Sequence, residues 1–498
     1  MQSVIESSRE IPLETDVDVA VVGGGTAGVM AAVAAARSGA RTCLIERTGA
    51  LGGMIQLGLM GHFGNRFRDG QGHETVTGAP RELLEAVVRD GATPYATLQE
   101  ALRAGHHIFY RHEHAGRACL RMVRQANVEL WLHAVFARAQ PAPERGYDLF
   151  IECKGGRRAI RAKQVVDCTG EADVAFSLGA AFHEDKALRF SWGLLFEMGL
   201  IDLARYEAFL KTCEPLCPPW TPWLAHYLRV PEAELAADRY WGEWLDGHIR
   251  AWPFRRQIMQ AVEAGDFDLV RPLPEGGTVR YGWDGFWPEP WHGADTVTAN
   301  VCMVTGLNPA DPRHVTRAEV AAREYAFDFL AFLRKYLPGF EKAVIRTMSG
   351  QTVPRGGREI VGEASLTSAD FGQRIREDAI CLVDLSPVGL PLGMFVPKGW
   401  RDLLVAGRCA DQGYSVRASV SCMAAGYSCG AIAALAAQRG VSPLQLDLQE
   451  RRRSLETHGV RLTPGPIAPD FAPLKWPKLP GVPQHDADEG LVRAKKLS

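Results

Sequence analysis

The stretch V-D-V-A-V-V-G-G-G-T-A-G, from Val17 to Gly28, decides the fold of this 498-residue chain. Its apolar first half, Val17–Val22, has the length and valine content of a buried parallel strand. Gly28–Ser38 is rich in alanine and predicts a helix, which Gly39 would end. Arg41–Glu46 is a second short apolar run. A strand, a helix and a strand within about thirty residues predict a βαβ unit.

Three glycines of this stretch, Gly23, Gly25 and Gly28, fit the dinucleotide pattern G-x-G-x-x-G. In that pattern the first glycine allows a tight turn, the second lets the backbone approach a pyrophosphate, and the third lets helix and strand pack closely. The helix N-terminus favours an anion, because its unpaired N–H groups and its dipole point at the phosphate. Glu46, 18 residues after Gly28, can accept both hydroxyls of a ribose and disfavours a 2′-phosphate.

The composition is that of an ordinary globular protein, with 46% hydrophobic and 23% charged residues. The 56 basic and 58 acidic residues give a net charge of −2, which argues against nucleic acid as a partner. The 11 cysteines form no C-x-x-C pair and indicate free thiols in a reducing compartment. No secretory signal is visible, and glycines interrupt the longest apolar stretch, Val17–Ala36. We therefore expect a cytoplasmic protein without a membrane span.

Apolar patterns continue beyond the βαβ unit. Amphipathic helices are predicted at Ala79–Asp90 and Ala115–Ala126, followed by a strand at Val128–Ala139. Tyr147–Cys153 and Arg158–Asp167 flank two glycines and predict a hairpin.

The middle of the chain differs in composition and predicts a second domain. Nine of the 12 tryptophans lie between Trp192 and Trp291, either as an aromatic substrate cage or as core and interface. The long helix Thr316–Leu337 is predicted after it, with Thr316 as N-cap and Glu319 completing a capping box.

The rest of the chain returns to the first pattern. Leu403–Ala406 predicts a strand and Ser421–Gln438 an alanine-rich helix, and seven prolines between Pro464 and Pro483 predict an extended tail. We therefore predict a first domain of residues 1–175 completed by 346–455, an inserted domain of 176–345, and a tail of 456–498.

Five segments together resemble the FAD-dependent oxidoreductase family of the glutathione-reductase-like superfamily. They are Val19–Met54 with the glycine motif, Val165–Ala175 reading V-V-D-C-T-G-E-A-D-V-A, Thr316–Glu341, Arg355–Glu363, and Leu403–Gly430. The resemblance implies an α/β, Rossmann-like FAD-binding domain of glutathione-reductase type. That domain would be assembled from N-terminal, middle and C-terminal segments, with an inserted mixed α+β substrate domain.

The resemblance also implies which residues hold FAD. The helix near Ser421 would point its N-terminus at the flavin pyrimidine, and Arg408 would lie at the ribityl–pyrophosphate end. Asp173 would support the turn that carries Thr169 and Gly170. The full set implied to contact the cofactor is Gly23, Gly25, Thr26, Ala27, Gly28, Glu46, Arg47, Gly52, Gly53, Met54, Val135, Thr169, Gly170, Asp173, Gly407, Arg408, Ser421 and Cys422.

Three residues are candidates for the chemistry. His62 follows Leu-Gly-Gly-Met in a segment that the resemblance places along the flavin ring, so it is a candidate for substrate protons. The family often carries a histidine after Ala-Gly-Arg; here that stretch has none, and Tyr414 is the candidate substitute, with a packing role as the alternative. Arg417 is a candidate clamp for a carboxylate or for the flavin.

Two further side-chain sets have competing interpretations. Arg355 and Arg358 could act as clamps like Arg417, or pair with Glu359 and Glu363 as structural ion pairs. The run H-H-I-F-Y-R-H-E-H, residues 106–114, lacks the spacing of a zinc helix and predicts a solvated loop and helix cap, so we expect no metal site.

The function expected from these patterns is a two-electron, hydride oxidation or reduction of a small organic metabolite, with ring-containing molecules among the candidates. The chain has no second dinucleotide motif and no disulfide-exchange motif. Oxygen, a quinone or a carrier protein would take the electrons, and a homo-oligomer stays open. An FAD-dependent monooxygenase is the alternative enzyme, although Ala-Gly-Arg stands where aromatic hydroxylases carry Gly-Asp. A non-catalytic flavin-binding interaction protein is the alternative of another class.

Overall fold

The computed structural model describes residues 4, 8–64, 67–69, 71–103, 107–183, 191–212, 233, 254–288, 295–367, 370, 375–383, 388–413 and 417–467. The helices in this part of the chain are α1 Thr26–Arg37, α2 Ala79–Arg89, α3 Leu98–Arg103, α4 His112–Gln125, α5 Asp173–Leu178, α6 Leu203–Thr212, α7 Arg255–Glu263, α8 Pro312–Tyr336, α9 Ser419–Arg439 and α10 Leu448–Thr457. The strands are β1 Leu13–Val22, β2 Thr42–Ile45, β3 His62–Gly64, β4 His107–Phe109, β5 Glu129–Trp131, β6 Val135–Pro141, β7 Tyr147–Cys153, β8 Gly156–Asp167, β9 Trp192–Gly199, β10 Val270–Pro272, β11 Thr278–Pro288, β12 Val297–Thr305, β13 Val344–Met348, β14 Val353–Pro354, β15 Ala379–Val383, β16 Val388–Pro391 and β17 Leu403–Val405.

The chain divides into two compact units. The first contains Met1–Ala187 and Gly356–Pro473, and the second contains Leu188–Arg355. Both divisions fall later than the predicted bounds at 176 and 345. The reason at the first division is that Phe182 pairs with Ile360 and the amide of His183 donates to the carbonyl of Glu359, which ties this segment to the first unit.

The first unit is built on a seven-stranded sheet. Its order is β5-β2-β1-β8-β7-β6, with β17 beside the end of β8. The strands β5, β2, β1, β8 and β17 are parallel, as βαβ connections require, whereas β7 and β6 add an antiparallel hairpin to β8. The fold is therefore α/β with a mainly parallel sheet, as the glycine-containing stretch predicts.

The helices α1 and α9 form the centre of this unit. They lie parallel and nearly touch, because a Cβ at Gly426 would lie 2.1 Å from the carbonyl oxygen of Ala27, and one at Gly430 would lie 2.0 Å from that of Ala31. The helix α9 is long and apolar enough to cross a membrane, but the whole of its most apolar window is buried inside the protein. Its apolarity is therefore explained by packing in the core.

The second unit contains a mostly antiparallel sheet of order β10-β11-β12-β9-β13, with β14 also beside β9. The long helix α8 packs on one face through Tyr325, Phe329 and Phe332. Most of the tryptophans behind the substrate-cage prediction lie outside the described residues. Trp192 is described and is buried in this core, as the core alternative predicts.

The predicted start of α8 is wrong. The N-cap is Asp311, whose side chain accepts from the amides of Arg313 and His314, and Pro312 occupies the first turn. This signal starts the helix about one turn earlier than Thr316, because aspartate followed by proline is a strong N-terminal pair. The hydroxyl of Thr316 instead donates to the carbonyl of Pro312 at 3.0 Å.

The predicted strand Val128–Ala139 is also wrong as a single element. It forms two strands, β5 and β6, with His133 between them in the left-handed region at φ 53°. A residue in this conformation interrupts an extended strand. Directly after this break, the amide of Ala134 donates to the carbonyl of Glu46 at 3.0 Å. The break therefore lies where the chain contacts the residue that follows β2.

Candidate functional site

The carboxyl ends of four parallel strands meet at one edge of the sheet. Val22 pairs in register with Ile45 on one side and with Asp167 on the other, and Asp167 pairs with Val405. The residues that follow these strand ends are Gly23, Glu46, Cys168 and Ala406. The site therefore combines segments that are far apart in sequence, at the sheet edge where α/β proteins bind ligands.

The first and third glycines of the motif are required by close packing. Gly23 has φ 101°, and a Cβ there would lie 2.4 Å from the carbonyl oxygen of Cys168. A Cβ at Gly28 would lie 1.7 Å from the carbonyl oxygen of Gly23. Neither position has room for any other residue, which agrees with the roles that the motif assigns to these two glycines.

The second glycine has a different environment. A Cβ at Gly25 would meet nothing within 4 Å, so the space beside its backbone is open. Gly52 lies next to it: the two residues form a parallel bridge, and the Gly52 amide donates to the Gly24 carbonyl at 2.8 Å. The glycine pair Gly52-Gly53 thus adjoins the motif and leaves an open cradle at the start of α1.

Glu46 holds this cradle in shape. One carboxylate oxygen accepts from the amide of Gly24 at 2.6 Å, and the other accepts from the amide and hydroxyl of Thr48, both at 2.8 Å. The side chain is buried. One carboxylate oxygen therefore lies at the glycine loop and the other at Thr48, in the position where the motif places a ribose ligand.

The two central helices start without capping or acidic side chains of their own. Neither α1 nor α9 has a side-chain cap or an acidic residue in its first turn. Because Gly426 lies against Ala27 and the helices are parallel, α9 starts about six residues, or about 9 Å, before α1 along their common direction. The two uncapped helix N-termini thus point in the same direction and are offset along the helix axis. Each of them attracts an anion.

The loop after β17 comes beside α1. Gly407 has φ 104°, and a Cβ there would lie 3.8 Å from the Cβ of Ala27. Arg408 donates to the Gly356 carbonyl at 2.8 Å and also to the carboxylate of Glu171. Its guanidinium lies 3.5 Å from where a Cβ of Gly170 would be. Gly170 and the Gly407-Arg408 loop are therefore neighbours.

The turn that carries Thr169 is supported by Asp167, which the sequence reasoning missed. Its carboxylate accepts from the amide and hydroxyl of Thr169 at 3.1 and 2.7 Å, and from the amides of Val174 and Ala175 at 2.8 and 3.1 Å. The side chain is fully buried, and burial raises its pKa to about 6 despite these donors. An aspartate at the end of a buried strand, followed by Cys-Thr-Gly, is the signal that could have found it.

Asp173 lies at the turn that carries Thr169, since its backbone amide donates to the Thr169 hydroxyl at 2.9 Å. Its carboxylate pairs with Arg358 at 2.9 Å, and Arg358 also lies 3.8 Å above the ring of Phe176. Arg358 is therefore in an ion pair, although with Asp173 rather than with Glu359 or Glu363. In the second unit, Arg355 donates to the hydroxyl of Ser191 at 2.9 Å.

Two arginine side chains, those of Arg417 and Arg408, place positive charge near the start of α9. Ser421 and Cys422 are buried in its first turns, and the Cys422 thiol donates to the carbonyl of Arg417 at 3.3 Å. Burial raises the pKa of this thiol to about 11, and Arg417 and Arg408 oppose the shift. Both guanidinium groups are thus close enough to act on the same helix end.

His62 lies on β3, opposite Phe109 of β4, with the two ring centroids 6.0 Å apart. The chain leading to it folds back on Met54, since the Met60 amide donates to the Met54 carbonyl at 3.1 Å. His62 therefore lies in the loop system that begins at Gly53. Tyr414 lies outside the described residues.

The remaining predicted contacts lie at the periphery. Val135 is the first residue of β6 and is half exposed, and Arg47 is exposed just after Glu46. In the 106–114 run, the buried His112 pairs with Glu113 at 2.9 Å. Among the described residues, no group of three or more histidine, cysteine, aspartate or glutamate side chains is placed to hold a metal ion.

A histidine that the sequence reasoning missed lies beside the loop after β17. The Nε2 of His183 is 3.0 Å from the carboxylate of Asp411, which is fully buried. The two residues are 228 positions apart in the sequence. No local pattern connects them, so only the folded chain brings them together.

Parallel strands that end at a glycine turn, a helix N-terminus and a carboxylate define a dinucleotide-binding protein. A family model described as FAD dependent oxidoreductase matches residues 18–386 and 383–455, which is most of the chain. The chain belongs to this family, and its cofactor is FAD. The open cradle at Gly25 and the two uncapped helix N-termini fit a group with a pyrophosphate and an anionic ring system.

No curated protein sequence matches the chain. Several solved structures match the chain at low sequence identity. A geranylgeranyl bacteriochlorophyll reductase-like protein from Thermoplasma acidophilum has 12% identity over 89% of this chain and 84% of its own, with a TM-score of 0.41. A flavoprotein/dehydrogenase from Cytophaga hutchinsonii has 12% identity over 89% and 83%, with a TM-score of 0.40. The p-nitrophenol 4-monooxygenase of Pseudomonas putida has 11% identity over 90% and 89%, with a TM-score of 0.39.

Proposed function

We propose that this FAD-dependent oxidoreductase is a dehydrogenase or oxidase that transfers a hydride between a small organic metabolite and FAD. The observation that carries the proposal is the pair of parallel, uncapped helices α1 and α9, whose starts are offset by about 9 Å along their common direction. One N-terminus suits the pyrophosphate and the other suits the ring that becomes anionic on reduction. The fold that this implies is of glutathione-reductase type, with the second unit as the substrate domain.

In this proposal the glycine motif and Glu46 hold the ADP half of the cofactor. Thr169 and Gly170 line it from β8, and Gly407 and Arg408 lie toward the ribityl chain. Bound FAD supplies two-electron chemistry by exchanging a hydride at N5. The first turns of α9, with Arg417 nearby, stabilise negative charge at the pyrimidine end.

Eight of the nine cysteines in the described residues are buried, which makes their thiols unsuited to carry the chemistry instead. Burial raises the pKa of the Cys119 and Cys381 thiols to about 12 and that of Cys422 to about 11. Thiol–disulfide exchange needs a thiolate, which is scarce at neutral pH when the pKa is this high. This supports electron transfer through the flavin alone, followed by transfer to oxygen, a quinone or a carrier protein.

The substrate end of the site is proposed to lie near His62 and Arg417, and Tyr414 keeps its proposed place there. Arg417 would bind a carboxylate or another anionic group of the substrate. The protein is proposed to act in the cytoplasm, without nucleic acid as a partner.

The first experiment is the visible absorbance spectrum of the purified protein, repeated on the supernatant after heat denaturation. Flavin bands that move to the supernatant are expected, since the cofactor is proposed to be non-covalently bound. A panel of alcohols, amines and ring-containing metabolites is then added without oxygen, and one class is expected to bleach the flavin. Bleaching by none of them would favour a non-catalytic binding role. NAD(P)H consumption coupled to oxygen insertion would replace the proposal with a monooxygenase.

A further inference from the structure

Asp411 is buried in the first unit, and residues from separate parts of the chain contact it. One carboxylate oxygen accepts from the amide of Gly362 at 2.9 Å and faces the imidazole of His183 at 3.0 Å. The other accepts from the hydroxyl of Ser365 at 3.0 Å. The backbone amide of Asp411 also donates to the carbonyl of Met394 at 3.1 Å. Contacts from three separate segments, one with His183, one with Gly362 and Ser365, and one with Met394, hold Asp411 in one orientation.

The carboxylate sets the proton position on His183. An ionised carboxylate only accepts, so the neutral ring carries its proton on Nε2, and Nδ1 keeps a lone pair. Within the part of the chain that the structure describes, Nδ1 has no partner, and 32% of the His183 side chain is exposed. The backbone is fixed as well, since the amide donates to the Glu359 carbonyl at 2.9 Å. The ring is thus held by Asp411 through Nε2, and Nδ1 is the ring nitrogen that can act as a base.

This pair belongs to the loop of the cofactor site. Asp411 follows Gly407 and Arg408 in the same short loop, and Gly407 adjoins Ala27 at the start of α1. The turn is tight, because the Gly413 amide donates to the Ala410 carbonyl at 2.9 Å. The loop itself carries no histidine, but the fold brings one to it from the end of the α5 segment.

A second aspartate–histidine pair in the same unit is not part of the loop after β17. His73 Nδ1 lies 2.9 Å from the buried carboxylate of Asp69, four residues earlier. That carboxylate also accepts from the amides of Gln71 and His73, so all of these contacts stay within one loop. The pair joins the same two side-chain types, through Nδ1 rather than Nε2 and within a different loop, and it therefore serves as the control.

We propose that His183 is the proton acceptor for the oxidised substrate and that Asp411 is its positioning residue; the inference rests on the proposed hydride transfer. The substrate class is an alcohol or an amine. Its C–H bond breaks with both electrons, which leave as hydride to the flavin, and its O–H or N–H proton passes to Nδ1 of His183. The substrate carbon gains a double bond to oxygen or nitrogen, and His183 then returns the proton to solvent.

The first test needs no substrate. The FAD-bound protein is labelled with ¹⁵N-histidine, and the side-chain resonances are assigned by their loss in His183→Gln. The expected result is a neutral His183 ring protonated on Nε2, with a tautomer shift in Asp411→Asn and none in Asp69→Asn. A ring protonated on Nδ1, or one unaffected by Asp411→Asn, would overturn the inference whether or not the protein transfers hydride.

The second test follows flavin reduction by the first alcohol or amine that bleaches the wild-type protein. His183→Ala should lower the limiting rate by about 10²–10⁴-fold with FAD content unchanged. Added imidazole should restore part of that rate, while dithionite should reduce the variant as fast as it reduces the wild type. His73→Ala should behave as the wild type. An undiminished rate in His183→Ala, or no rescue by imidazole, would remove the proton-acceptor role. A wild-type flavin that no alcohol or amine bleaches would instead refute the substrate class, and the tautomer result would stand by itself.

Discussion

The carboxylate of Glu46 accepts a hydrogen bond from the amide of Gly24 at 2.6 Å, so the acid that ends β2 also fixes the glycine loop that starts α1. The sequence motif treats the acid as a ribose ligand alone. The structure gives it a second task, because it joins the glycine loop to Thr48.

Replacing Glu46→Gln is therefore expected to weaken FAD binding by about 10–100-fold, since a hydrogen bond to a charged group contributes about 1.5–3 kcal/mol. The measurement is FAD titration of the apoprotein by flavin fluorescence. The matched control is Glu129→Gln on the neighbouring β5, where the carboxylate accepts from the indole of Trp131 at 2.9 Å. Equal FAD affinity in Glu46→Gln and the wild type would show that the ribose site is elsewhere.

Two alanine substitutions in the glycine motif should have different effects, one on FAD binding and the other on the stability of the apoprotein. Gly25→Ala places a methyl group in open space, so the apoprotein should keep its melting temperature while FAD binding weakens about tenfold or more. Gly28→Ala places one 1.7 Å from the carbonyl oxygen of Gly23, so this variant should lose stability without any ligand. Thermal unfolding of both apoproteins, with FAD titration, checks the pair. A destabilised Gly25→Ala apoprotein would contradict the open cradle.

The contact between α1 and α9 predicts that a Gly→Ala substitution in α9 lowers the free energy of unfolding, which is the opposite of its usual effect in a helix. An exposed helix normally gains about 0.5–1 kcal/mol from Gly→Ala. Gly426→Ala should instead lower the free energy of unfolding by about 1–3 kcal/mol, because its Cβ would lie 2.1 Å from the Ala27 carbonyl oxygen. Urea unfolding measures the difference. A stabilised variant would mean that the two helices are further apart.

Asp167 predicts a pH dependence of stability. Burial raises the pKa of Asp167 from 3.8 to about 6 in the folded state. A raised folded-state pKa stabilises the protein below the ordinary pKa, and that contribution is lost as the pH rises through about 6. Between pH 5 and pH 7 the loss is about 1 kcal/mol.

Asp167→Asn removes this titration. The unfolding free energy of the wild type relative to the variant should therefore fall by about 1 kcal/mol from pH 5 to pH 7. Urea unfolding of both apoproteins at the two pH values measures it. A difference that grows with pH would mean that the carboxylate is held ionised by its four donors.

The parts predicted from sequence are those encoded locally. The glycine motif, α1 and β2 follow from a contiguous pattern in which turn, helix and strand signals agree. The start of α8 was misplaced because Thr316 and Glu319 form a valid local signal, while the stronger signal at Asp311 and Pro312 lies one turn earlier.

The parts not predicted depend on tertiary contacts. The support of Thr169 by Asp167 requires knowing that Asp167 is buried where β8 ends between β1 and β17. The pairing of His183 with Asp411 depends on two loops that meet across the first unit. Neither segment has a sequence periodicity that indicates its partner, because side-chain contacts between distant loops produce no regular residue spacing.

The position of β17 has a consequence for synthesis of the chain. The last three residues of β8, Val165–Asp167, pair with Leu403–Val405. At 5–20 residues per second, a ribosome needs about 10–50 seconds to make the intervening chain. During that time the nascent β8 exposes an unpaired edge beside the unfinished cofactor site. FAD can therefore stabilise the complete site only after Leu403–Val405 has been made, and until then this edge is where a chaperone would protect the chain from aggregation.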